Sequence, residues 1–79
     1  MEENYRGIFS RMGDALIERY IEDIKGELDK KPNDVDLLFK LGLAYARVKK
    51  VNQAREVYKK IKELDIEKAS ELLDIIYGL

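Results

Sequence analysis

Apolar residues return every three or four positions along this chain, and nowhere do they alternate with polar ones over the length of a strand. That spacing predicts helices. From Asp14 to Asp29, Ile17, Tyr20, Ile21, Ile24 and Leu28 share one side of a helix, with Glu18, Arg19, Glu22 and Asp23 on the other. Upstream, Tyr5, Ile8, Phe9 and Met12 keep the same interval, which predicts a short helix, or the first turns of a longer one, with Gly13 as a joint. Pro32 cannot continue a helix and turns the chain, after which Asn33 or Asp34 is expected to cap a second helix reaching about Val48. A third is expected to start at Asn52, with Val51, Ala54, Val57, Tyr58, Ile61 and Leu64 as its apolar stripe and Glu56 paired to Lys60. The last is expected from about Glu67 to Tyr77, carrying Ala69, Leu72, Leu73, Ile75 and Ile76. Four helices on short turns pack as antiparallel neighbours, so the expected fold class is an all-α antiparallel helix-turn-helix stack.

One segment departs from the one-faced pattern. Leu37 to Ala46, read as "LLFKLGLAYA", is apolar nearly all round in a chain of which 39% is charged. A helix of that kind must be covered on more than one side.

Composition narrows the function classes. A chain of 79 residues forms one domain with a thin core. It has neither Cys nor His, which removes disulfides, thiolate metal sites, and the commonest general base and neutral metal ligand. Fifteen basic and sixteen acidic residues alternate in sign and leave a net charge of -1, so no bulk attraction to nucleic acid or anionic lipid is expected. The longest apolar run is well short of a membrane span and the N-terminus "MEENYRGIF" is acidic, which reads as a soluble cytoplasmic protein. Abundant Lys, Glu and Ile beside a single Gln give it a thermophile-like composition.

Between residues 35 and 68 the spacing becomes specific: Leu38-x2-Leu41-Gly42-x2-Tyr45, then Ala54, then Tyr58. This resembles the tetratricopeptide repeat, a helix-turn-helix unit of about 34 residues. Residues one repeat length apart echo each other: Ile17 and Val51, Ile24 and Tyr58, Val35 and Ala69, Leu38 and Leu72, Phe39 and Leu73, Leu41 and Ile75. The resemblance divides the single domain into a degenerate N-terminal repeat (1–34), a full repeat (35–68) and a C-terminal capping helix (69–79). It implies that Gly42 and Ala54 are small where the two helices of one unit approach. Two positions depart from the family: Ile66 stands where proline is usual, and Lys49 where glycine is favoured. If the backbone at Lys49 needs a positive φ, the residue carries about 1 kcal/mol of strain.

The resemblance also implies a partner-binding groove lined by Asp36, Phe39, Leu43, Ala46 and Arg47, with Lys40 and Arg47 as a positive edge. The family's carboxylate clamp places Lys and Asn where this chain has Phe39 and Leu43, so no such clamp is expected. Set against the groove is the reading in which the N-terminal helices fold over Phe39 and Leu43 and use them as core, while Asp36 pairs with Lys40. In the last helix, Leu73, Ile76 and Tyr77 add apolar surface beyond one face and are candidate contacts for self-association. The lysine groups Lys30-Lys31, Lys49-Lys50 and Lys59-Lys60-Lys62 are broken by Glu56, Glu63 and Asp65 and read as solvated faces. Glu18 and Glu22 read as surface charge, and Ser10 and Ser70 have no His to activate them. The expectation is a non-catalytic adaptor, without metal or cofactor, that binds a protein or peptide. The alternative is a structural unit that self-associates.

Overall fold

The computed structural model describes residues 13–78, so the predicted helix around Tyr5, Ile8, Phe9 and Met12 lies outside the described residues. Within them the chain forms four α-helices and no strand: α1 (Asp14–Lys30), α2 (Val35–Arg47), α3 (Val51–Leu64) and α4 (Ile66–Gly78). The all-α class and the number of helices agree with the pattern of the sequence.

Each boundary has a local cause. Gly13 is extended at the head of α1, and its carbonyl accepts from the amides of Leu16 and Ile17, both at 3.1 Å. Ile17, Ile21 and Ile24 are buried, and Tyr20 and Leu28 pack partly against the same core. The helix closes with the Lys31 amide on the Glu27 carbonyl at 3.0 Å, one residue before Pro32. Asp34 then caps α2, its Oδ1 accepting from the Leu37 amide at 3.1 Å. Such a cap stabilises a helix by about 1 kcal/mol.

The turn after α2 is less favourable. Lys49 donates to the Ala46 carbonyl at 3.1 Å and Lys50 to the Tyr45 carbonyl at 2.8 Å, which is the paired closure of a Schellman turn. That closure needs a left-handed residue, and Lys49 supplies it at φ 66. Because the turn feeds straight into the next helix, α3 begins at Val51 with Lys50 at its cap position and no side-chain cap bond. Asn52, expected as that cap, lies inside the first turn instead. Glu56 pairs with Lys59 at 3.5 Å rather than with Lys60, since both lysines are within reach on the helix surface. The buried stripe of α3 is Ala54, Val57 and Ile61, while its outermost members Val51 and Leu64 are exposed at the helix ends.

A single residue, Asp65, separates α3 from α4. Its amide donates to the Ile61 carbonyl at 2.7 Å, ending α3, and its Oδ1 accepts from the Lys68 amide at 3.1 Å, starting α4.

α2 packs on α1, α3 and α4, and α4 packs on both α2 and α3. This accounts for "LLFKLGLAYA": Leu37, Leu38, Phe39, Leu41, Gly42, Leu43 and Ala44 are all buried because three helices surround the segment. The atoms nearest to Gly42 belong to Leu72 of α4, a neighbour outside the unit that the repeat pattern pairs it with. A Cβ built on Gly42 would lie 2.6 Å from Leu72 Cδ2 and 3.0 Å from Leu72 Cδ1, so glycine here admits α4. Leu72 is fully buried, as are Ile17, Ile21 and Ile61. Among the described residues every buried side chain is apolar. None of these helices is long and apolar enough to cross a membrane.

Candidate partner-binding site

The six residues singled out on α2 divide by depth. Phe39 and Leu43 are buried, at 6% and 4% exposure, Ala46 is half-buried, and Asp36, Lys40 and Arg47 are exposed. Phe39 is closed off in part by Lys68, whose Nζ lies 4.8 Å from the ring centroid and which also pairs with Glu71 at 3.4 Å. A cation held over a ring in this way contributes about 0.5–1 kcal/mol where the site is open to water. The surface that α2 offers is therefore the charged row Asp36, Lys40 and Arg47, with Ala46 beside it. Asp36 and Lys40 form no ion pair among the described residues.

α4 has an exposed row of its own. Ser70, Asp74 and Tyr77 are exposed at helical spacing, and Tyr77 is 65% exposed. Of the residues proposed for self-association, Leu73 is half-buried and Ile76 is 8% exposed, so Tyr77 is the one that projects freely. Gly42 meets Leu72 in mid-helix, and Ala46 and Ile76 line one cavity farther along. Later residues of α2 thus meet later residues of α4, and the two helices run parallel, side by side.

That cavity has a volume of about 170 Å³ and is lined by Ala46, Arg47, Lys49, Val51 and Ile76. It sits where the last turn of α2, the strained turn at Lys49, the start of α3 and the end of α4 come together. Arg47 and Lys49 are exposed and form no ion pair among the described residues, whereas Lys50 is held by Glu18 at 3.1 Å. Lys49 and Val51 did not stand out as site residues in the sequence. The signal was Lys49 in a position where the repeat favours glycine.

Among the described residues, the ionisable group that departs clearly from its ordinary pKa lies elsewhere. Burial raises the pKa of the Tyr20 hydroxyl above its ordinary value, and the negative charge of Glu27 adds to the shift.

These features define an all-α stack of four helices among the described residues, in which α2 is the most enclosed. Compared with protein families, curated proteins and solved structures, the chain finds no match in any of the three.

Proposed function

We propose that this chain is a non-catalytic interaction module of the tetratricopeptide type, binding a protein or peptide segment along the exposed face of α2 and α4. The observation that supports this is the side-by-side, parallel placement of the two helices through Gly42 and Leu72. α2 presents Asp36, Lys40 and Arg47 to solvent, and α4 presents Ser70, Asp74 and Tyr77. Such a face recognises an extended or helical segment through a few anchors and leaves charge to select the partner. Phe39 and Leu43 act in this reading as the core beneath the face. A peptide-library screen against the wild-type chain, repeated with Lys40→Glu, Arg47→Ala and Tyr77→Ala, tests the proposal. Loss of the selected ligands in at least one variant is expected, and undiminished binding in all three removes the face from consideration.

The second reading, self-association, is favoured by the exposure of Tyr77 at the end of α4. Solution mass measured against concentration separates it from the first. Tyr77→Glu is the informative variant, since Ile76→Glu would place a charge at a buried position and perturb folding as well as assembly. A dimer that Tyr77→Glu converts to monomer supports this reading, and a monomer at high concentration counts against it.

A further inference from the structure

The cavity at the end of the α2–α4 layer has two kinds of wall. Among the described residues that line it, Ala46, Val51 and Ile76 give it an apolar side, and the charged ones, Arg47 and Lys49, are both cations. In a chain whose net charge is -1, two cations that form no ion pair among the described residues, beside one concave apolar surface, form a local excess of positive charge. Lys49 holds its place at φ 66, a conformation in which a side chain is costly and glycine is not. It is a half-open depression of about 170 Å³, with room for one aliphatic side chain to lie against its apolar wall.

From this we infer that the cavity is an anchor point for an acidic segment of a partner protein. The partner places one aliphatic side chain against Ala46, Val51 and Ile76, and an adjacent carboxylate between Arg47 and Lys49. The inference rests on the interaction-module reading and gives its ligand a chemistry: acidic, with an aliphatic residue next to the acid. Arg47 supplies a planar fork suited to a carboxylate, and Lys49 a mobile point charge. Because both cations are exposed, the attraction is screened by salt.

The test uses the full chain labelled with nitrogen-15 and three probes, acetyl-Glu-Leu-Glu-Leu-Glu-amide and its analogues with Gln or Lys in place of Glu. At low salt and millimolar peptide, the Glu probe is expected to shift the backbone resonances of Arg47, Lys49, Val51 and Ile76, and the Gln and Lys probes to bind much more weakly. Lys49→Gly removes one cation while relieving the backbone, so the fold is kept; combined with Arg47→Gln it should weaken the Glu probe by roughly tenfold. Equal binding of the Gln probe, an undiminished affinity in the double variant, or no shifts at the cavity would each overturn the inference. Shifts confined to Asp36, Lys40, Asp74 and Tyr77 would overturn the anchor and leave the interaction face standing. Absence of shifts for all probes sinks the anchor, while the library screen decides separately whether the face binds anything else.

Discussion

The two helix reversals that follow α2 and α3 solve one problem in opposite ways. After α3, Asp65 closes the outgoing helix with its amide and caps the incoming one with its carboxylate, so one residue satisfies both ends. After α2, the chain spends Val48, Lys49 and Lys50 on the reversal, holds a lysine at φ 66, and enters α3 without a side-chain cap. The first junction is built for stability. The second gives stability up, and it is the one that borders the cavity. Strain kept at a position where glycine would relieve it is a pointer to what the side chain does.

The contrast can be broken at either junction. Asp65→Ala removes the cap on Lys68 and should destabilise the chain by about 1 kcal/mol, read as a lower denaturant midpoint at unchanged slope. Lys49→Gly should act in the other direction. Relief of the left-handed conformation, less the extra freedom glycine gives the unfolded chain, leaves a gain of about 0.5–1 kcal/mol in the same measurement. A fall in stability instead would mean that the Lys49 side chain makes contacts that outweigh its backbone cost. Ile66→Pro sharpens the stable junction further. Ile66 is the first helical residue, 56% exposed, and follows an extended residue, so proline fits there and should add about 0.4–1 kcal/mol in a thermal melt. The smallest effect belongs to Glu18, whose bond to Lys50 ties α1 to the weaker turn. Both side chains are about two-fifths exposed, so Glu18→Gln should cost a few tenths of a kcal/mol, a difference that disappears as sodium chloride is raised.

Much of this architecture is legible in the residues because local chemistry decides it. Pro32 and Asp34 mark a stop and a start through a missing amide and an available oxygen, and the structure places them so. The all-round apolarity of α2 announces several neighbours, which are α1, α3 and α4. Asn52 misleads because a good capping side chain does not set a helix start when the preceding backbone closure delivers the chain to Val51 first. Gly42 shows another limit: spacing marks a small residue, but which helix comes up against it depends on how the units stack. The candidate site is less legible for a related reason. The repeat pattern puts Phe39 and Leu43 on the same footing as Asp36 and Arg47, and only the packing separates core from surface. The cavity joins residues from α2, the following turn, α3 and α4, and no single stretch of sequence contains it.

Gly42 has a geometric consequence for the whole outer layer. By letting the Leu72 side chain come against its backbone, it sets how near α4 lies to α2 at their midpoint. Gly26, in α1, has open space where its Cβ would be and controls nothing of the kind. A bulkier residue at 42 would have to displace the fully buried Leu72 side chain, and so would act as a wedge between the two helices. The missing side chain is thus a spacer of zero thickness, and it decides how closely one helix of the outer layer can lie on the other.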